Sequence, residues 1–294
     1  MKKWKTLLLI LVFLAGLSLL LYPSVSNYWN SLRQSRLVSQ YMQSVSELED
    51  RQKTELFQTA YAYNERLAQL PMHFTLNAQE REEYENTLDV SGTGVMGYLE
   101  IPKIEVSLPI YHGTEENVLE FAVGHLEGSS LPVGGESTHS VLTGHTGLPS
   151  ARLLTDMSEL EEGDIFYVQI MDETLTYEVD QIRKVLPEVI NDLAIEEGKD
   201  YCTLVTCTPY GINTHRLLVR GHRIETARQA MMRFSANALE IDHMLVIPFL
   251  AAPVLLLLFL MTMLKPNRKK QRSEQIQKLR SAPEGPPPGS EGAK

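Results

Sequence analysis

Two long apolar runs without charge, one near each end of the chain, constrain its fold most strongly. Residues 6–22 and 244–264 carry no charged side chain over 17 and 21 positions, respectively. A helix needs roughly 20 apolar residues to cross a bilayer core of about 30 Å. The second run reaches this length, and the first falls slightly short. We therefore expect two transmembrane helices. A cleaved signal peptide is the alternative for the first run, and a buried soluble helix is the alternative for the second.

Basic residues lie on the outer side of both runs. Three lysines stand within residues 1–5, and five Lys or Arg residues lie between 265 and 272. Positively charged flanks stay in the cytoplasm. We therefore expect both chain ends in the cytoplasm and residues 23–243 outside the cell membrane. The remainder of the tail, within 265–294, has a low-complexity composition that is typical of disorder.

The segment between the two runs is strongly acidic. Residues 23–243 contain 16 basic and 34 acidic side chains, a net charge of −18. Nucleic-acid binding depends on neutralising phosphates with Lys and Arg, so this charge argues against a nucleic-acid partner. No zinc-ligand spacing is present in the sequence, and the sequence predicts no cofactor or metal.

The segment divides into a helical and a β-rich part. Residues 27–69 contain no Gly or Pro, which favours one or two helices, and we assign residues 23–94 to a helical stalk. From residue 95 to residue 226, short alternating runs are separated by turn residues. Seven or eight short strands of this kind indicate a closed or nearly closed β-barrel, with helices predicted only at 115–126 and 151–160. Residues 227–243 are assigned to a linker.

Both cysteines lie on one predicted strand. In an extended strand, Cys202 and Cys207 would be roughly 16 Å apart and would point to opposite faces. A disulfide needs Cα atoms within about 7 Å, so both are predicted to be free thiols, with Cys202 buried. Cys207 ends its strand, and Arg216 begins the next strand after a short loop. Neighbouring strands would bring them together, and a cation beside a thiol favours the nucleophilic thiolate.

A nucleophilic cysteine also needs a proton partner, usually histidine. All eight histidines lie between the apolar runs, and spacing does not choose among them. His145, in "VLTGHTG", has the most suitable setting, because a strand there enters a glycine-flanked loop. Structural roles stay open at this point: a buried small cysteine, an ion-paired arginine and a histidine in a turn.

The motifs "TLVTC", "HRLLVRG" and the upstream "TGH" resemble the sortases, which are membrane-anchored transpeptidases of Gram-positive bacteria. The longer pattern, including "TPYGINTHR", resembles the class C, pilin-polymerising sortases. The resemblance implies a closed eight-stranded barrel. It also implies Cys207 as nucleophile, His145 as the catalytic histidine and Arg216 as the catalytic arginine, with Arg220 as the competing arginine. The backbone N–H of Thr208 is the expected second oxyanion donor.

The implied activity is acyl transfer. The cysteine would cleave an LPXTG-like sorting signal, and a lysine amine of a pilin subunit would take up the acyl group. Three alternatives stay open: a housekeeping sortase that attaches proteins to cell-wall peptidoglycan, a cysteine peptidase that uses water, and a non-catalytic extracellular binding module.

Class C sortases typically carry a lid with an Asp-Pro-aromatic motif. The matching region reads "LPMHF", in which Pro71 and Phe74 are candidates for lid residues but no Asp precedes the proline. We therefore expect a lid region without its usual acidic residue.

Overall fold

The computed structural model describes residues 2–71, 74–226 and 255. The predicted linker, the second transmembrane run and the basic tail therefore lie outside the described residues, apart from Leu255. Within the described part, an N-terminal set of helices precedes a β-barrel.

Helix α1 is the longest element. It runs from Lys2 to Glu47 and includes Pro23, so at about 1.5 Å per residue it is roughly 70 Å long. Its first half holds the first apolar run. The segment Leu8–Glu47 has a mean hydropathy of 2.4 in its most apolar window and is long enough to cross a membrane. A signal sequence near an N-terminus would satisfy the same criterion.

Two further helices complete the predicted stalk. Helix α2 spans Asp50–Ala68 and ends before Pro71, and helix α3 spans Ala78–Asn86. Asn77 caps α3, because its side chain accepts hydrogen bonds from the backbone N–H groups of Gln79 and Glu80.

Eight strands follow, and they close into a barrel in the order β1-β2-β3-β4-β7-β8-β6-β5. This confirms the predicted eight-stranded barrel. The strands are β1 Val95–Ile101, β2 Val106–His112, β3 Val123–His125, β4 Thr138–Thr143, β5 Ile165–Ile170, β6 Glu173–Val185, β7 Asp200–Thr208 and β8 His215–Ile224. Strands β4 and β7 pair in parallel, and β7 and β8 pair antiparallel, so β7 lies between β4 and β8.

Alternation along β7 separates the barrel interior from its outer face. Cys202 and Leu204 are fully buried in the main core. Val205 instead packs against a separate cluster outside that core. Since successive side chains of a strand point to opposite faces, Cys207 shares the outer face with Val205.

The two helices predicted within the barrel region are shorter than expected. Helix α4 covers only Glu116–Leu119, and strand β3 occupies part of the segment that was expected to be helical. The second segment forms a 3₁₀ turn at Thr155–Glu159. Pairing of β3 with its neighbours provides the β3 backbone with ladder hydrogen bonds, a tertiary effect that local composition does not encode.

Candidate active site

Cys207 and Arg216 lie directly opposite each other in the sheet. They are paired residues in the antiparallel register of β7 and β8. Arg216 shares its face of the sheet with Leu218, which belongs to the same separate cluster that Val205 packs against. The Cys207 and Arg216 side chains therefore both lie on the outer face of the barrel. Cys207 is half-buried and is not disulfide-bonded. Cys207 and Arg216 are therefore neighbours on paired strands, as the sequence predicted.

His145 reaches the other side of β7. The parallel pairing of β4 with β7 ends at Thr143 opposite Val205. Two hydrogen bonds extend it: the N–H of Gly144 donates to the Val205 carbonyl over 3.1 Å, and the Thr206 hydroxyl donates to the Gly144 carbonyl over 2.7 Å. The next position in this register places His145 beside the end of β7, and neighbouring strands lie about 4.8 Å apart.

Cys207 is therefore flanked by a histidine-bearing strand end on one side and by Arg216 on the other. These groups are separated by 62 and 9 positions in the sequence. The three side chains are a thiol, an imidazole and a guanidinium, which are the kinds of group that can act as nucleophile, proton carrier and oxyanion donor.

The His145 imidazole has an acidic neighbour on helix α4. Its Nε2 lies 3.2 Å from Oε1 of Glu116. The His145 side chain is 25% exposed and the Glu116 side chain is 76% exposed, so solvent weakens this pair. Sequence reasoning missed Glu116, because the two residues are 29 positions apart and no motif joins them.

The two candidate arginines have different surroundings. Arg220 forms two hydrogen bonds of 3.0 Å with the Asp180 carboxylate, and its guanidinium lies 4.1 Å from the ring centre of Tyr201. Arg216 donates from Nη1 to the backbone carbonyls of Asn213 and His215, at 3.3 and 3.2 Å. Arg220 therefore joins strands β8 and β6 through its ion pair, whereas Arg216 forms hydrogen bonds to the loop before β8 and to the first residue of β8, beside Cys207.

A Sortase domain family model matches residues 99–224. The solved structure of sortase C1 from Streptococcus agalactiae is 51% identical with a TM-score of 0.64, and the match covers 65% of this chain and 100% of that one. The chain belongs to the sortase family. The matched region is the barrel that carries Cys207, His145 and Arg216.

Two other relatives are similar to this sortase at lower identity. Sortase C of Streptococcus pneumoniae is 40% identical with a TM-score of 0.57, and the match covers 65% of this chain and 97% of that chain. Sortase D of Bacillus subtilis is 33% identical over 131 residues, which are 44% of this chain and 63% of that relative. The chain thus spans less than two thirds of this curated relative, and the structures it resembles are class C sortases.

Phe74 packs on the outer face of the barrel of this sortase. It packs against a cluster formed by Val141, Leu193 and Leu218, which Val205 also contacts. We call Val141, Leu193, Val205 and Leu218 the outer patch. Val205 is two residues from Cys207 on the same face, so the patch leads toward the cysteine. Pro71 precedes the undescribed residues 72–73, and its role as a lid residue stays a prediction.

Other histidines of the barrel serve the fold. Burial lowers the pKa of His125 to about 4, and its ring is hydrogen-bonded to Tyr84 and to the Ser130 carbonyl at 2.9 and 2.8 Å. Burial likewise lowers the pKa of His139, whose ring contacts the Ala194 carbonyl and the Thr203 hydroxyl. Burial favours the neutral form of both rings, and their hydrogen bonds to neighbouring backbone and side-chain groups give them structural roles.

The remaining predicted groups differ in what surrounds them. Burial raises the pKa of the Cys202 thiol well above its usual value, which keeps that thiol unreactive. Thr208 is the last residue of β7 and is paired with His215, so its backbone N–H directly follows Cys207. Within residues 2–71 and 74–226, no three His, Cys, Asp or Glu side chains are grouped to hold a metal ion.

Proposed function

We propose that this sortase is a membrane-anchored cysteine transpeptidase that cleaves an LPXTG-like sorting signal and joins it to a lysine amine of a pilin. The observation that carries the proposal is the position of Cys207 between its paired residue Arg216 and the strand end that bears His145. The apolar first half of α1 supports anchoring in a membrane.

The proposed first step makes a thioester. The Cys207 thiolate attacks the Thr carbonyl carbon of the sorting signal, and a C–S bond forms. Arg216 and the N–H of Thr208 stabilise the oxyanion, and one such donor is worth about 3 kcal/mol. The C–N bond then breaks as His145 gives its proton to the leaving amine.

The proposed second step transfers the acyl group. His145, now neutral, takes a proton from the incoming lysine amine, which attacks the thioester carbonyl. The C–S bond breaks, the Cys207 thiolate returns, and an isopeptide bond joins the two proteins. No oxidant, metal or cofactor is needed for this balance of protons and bonds.

A pilin is the proposed acceptor because the class C structures resemble this chain at 40–51% identity. The Streptococcus pneumoniae structure is described as informative on pilin substrate specificity. The curated sortase D of Bacillus subtilis matches at 33%, which is less than either class C structure.

Intact-mass spectrometry of the full chain with an LPXTG-type peptide tests the proposal. The expected result is an acyl adduct on Cys207 that passes to a pilin-derived lysine peptide when this is added. Cys207→Ala should form no adduct, and Cys202→Ala, which changes the buried thiol of the same strand, should retain it.

Other outcomes would select the alternatives. Transfer to a peptidoglycan cross-bridge peptide but not to lysine would indicate a housekeeping sortase. Hydrolysis that an added amine does not divert would indicate a peptidase. The absence of any adduct across several sorting peptides would reject catalysis and favour a binding module.

A further inference from the structure

Helix α1 presents three amide side chains to the barrel. They are Asn27, Asn30 and Gln34, which we call the amide stripe. Residues spaced at i, i+3 and i+7 lie on one face of a helix. Each of these amides makes a hydrogen bond to a backbone group more than 80 positions away.

Two amides of the stripe bind the loop that contains His145. We call residues 144–152 the histidine loop. Oδ1 of Asn27 accepts a hydrogen bond from the N–H of Arg152 over 2.9 Å, and Nδ2 of Asn30 donates to the carbonyl of Ser150 over 2.8 Å. The stripe therefore holds the far end of the histidine loop by one acceptor and one donor.

Short-range bonds connect this far end to His145. The N–H of Leu154 donates to the His145 carbonyl over 3.2 Å. Leu148 and Ala151 form a backbone bridge across the loop, and the N–H of Gly147 donates to the Thr155 hydroxyl over 3.1 Å. A loop closed on itself in this way transmits a restraint at Ser150 to the histidine backbone.

The third amide holds the other neighbour of His145. Nε2 of Gln34 donates to the Phe121 carbonyl over 2.8 Å, and the Gln34 side chain is buried. Phe121 follows helix α4, whose Glu116 contacts the His145 ring. The Arg33 guanidinium also lies 3.8 Å from the Phe121 ring centre. One face of α1 thus forms hydrogen bonds to the loop that carries His145 and to the residue that follows the helix bearing its ring partner Glu116.

We propose that Asn27, Asn30 and Gln34 are positioning residues that hold His145 where it can pass its proton to the leaving amine. The proposal rests on the proposed function. It gives the juxtamembrane part of α1 a role in catalysis as well as in anchoring.

The test uses the full chain in detergent micelles and two substrates with the same sorting sequence. One substrate is an LPXTG-type peptide, whose amine leaving group needs a proton. The other is the corresponding aryl thioester, whose thiolate leaves without one. Single-turnover acylation of Cys207 is measured for each, and Tm is recorded for every variant.

Substitution by Asp is expected to affect acylation differently at the two asparagines, because Asn30 donates its hydrogen bond and Asn27 accepts one. Asn30→Asp removes the donor to Ser150, and we expect amide acylation to fall about tenfold or more while thioester acylation changes less than about twofold. Asn27→Asp keeps an acceptor for the N–H of Arg152, and we expect both rates within about twofold of the parent rates. Ser31→Ala, an exposed change on α1, is the control.

Gln34→Met supplies a second variant of similar volume in case Asn30→Asp does not fold, with the same selective loss expected. Equal losses on both substrates would overturn the proposal, because they indicate general loosening. Equal effects of Asn27→Asp and Asn30→Asp would also overturn it, as would unchanged amide acylation in both Asn30→Asp and Gln34→Met. Failure of the parent protein to acylate either substrate would instead reject the proposed function.

Discussion

The surroundings of each arginine indicate the role that it can take. Arg220 is bound in two places to Asp180 and stacks on Tyr201, so moving it toward Cys207 would break a bidentate ion pair. Moving Arg216 toward Cys207 would break only two long hydrogen bonds to backbone carbonyls of its own loop. A planar guanidinium is also not equivalent to the point charge of lysine.

We predict that Arg216→Lys lowers the rate of Cys207 acylation about 100-fold, as expected for loss of one oxyanion donor, with little change in Tm. Arg220→Lys should lower Tm and leave the maximal rate within about tenfold, since its partners are structural. Single-turnover kinetics and thermal melts of both variants check this, and the reverse pattern would assign catalysis to Arg220.

His125 makes stability depend on pH. Burial lowers its pKa to about 4 in the fold, against about 6.5 in an unfolded chain. As pH falls, the unfolded state takes up the proton first. The contribution of His125 to the free energy of unfolding is therefore fully present above about pH 6.5. It is lost as pH falls toward 4, and the total loss is about 3 kcal/mol.

We predict that His125→Gln lowers the free energy of unfolding at pH 7.5 and flattens its decline between pH 6.5 and 4.5. Urea unfolding of the variant and its parent at both pH values measures the difference between them, in which the other titrating groups cancel. An equal decline in both proteins would show that His125 is not the group responsible.

Strand β7 organises the candidate active site because it has a different neighbour on each side. Its parallel partner β4 brings His145, and its antiparallel partner β8 brings Arg216. The outer patch lies on the same face, formed by residues of β4, β7, β8 and the turn at Asn191–Leu193. An extended peptide that reaches Cys207 along this face would have to displace Phe74.

We predict that Phe74→Ala raises acylation of an LPXTG-type peptide about fivefold. Loss of roughly 1 kcal/mol of apolar packing would expose the patch more often. Leu70→Ala, at an exposed residue just before the described segment ends, is the control. An unchanged or lower rate for Phe74→Ala would mean that Phe74 does not cover the substrate path.

Helix α1 continues without a break from the apolar N-terminal run to the side chains that contact the barrel domain. Asn27, which binds the histidine loop, follows the last residue of that run by five positions. At about 1.5 Å per residue this is roughly 7.5 Å along the helix. If residues 6–22 span the bilayer, the histidine side of the centre is held close to the membrane surface.

We predict that inserting seven helix-forming residues after Ser24 slows processing of a membrane-tethered sorting signal in the same bilayer. The insertion would raise the barrel by about 10 Å and leave the amide stripe intact. A soluble peptide of the same sequence should react at the parent rate. Equal processing of the tethered substrate by both proteins in nanodiscs would refute a requirement for this height.

Local patterns in the chain predicted the barrel and most of its strands, and they singled out the candidate residues Cys207 and Arg216. Alternation and turn residues predicted a closed or nearly closed barrel, and the spacing of the cysteines predicted free thiols, because both depend on strand geometry that is nearly independent of context. Strand neighbours across a short loop brought Cys207 to Arg216. The glycine-flanked loop favoured His145, and the motif "TGH" supported that choice through a family resemblance, since spacing did not select among the histidines.

Contacts between distant segments could be seen only in the folded molecule. Three such contacts join residues 29 or more positions apart. They are the contact of Glu116 with His145, the ion pair of Arg220 with Asp180, and the hydrogen bonds of the amide stripe to the histidine loop. Local sequence does not encode such pairs, because closing the barrel and packing α1 against it, and not backbone propensity, bring them together. The strand β3 inside an apparently helical segment has the same cause, since pairing with β2 and β4 outweighs the local preference.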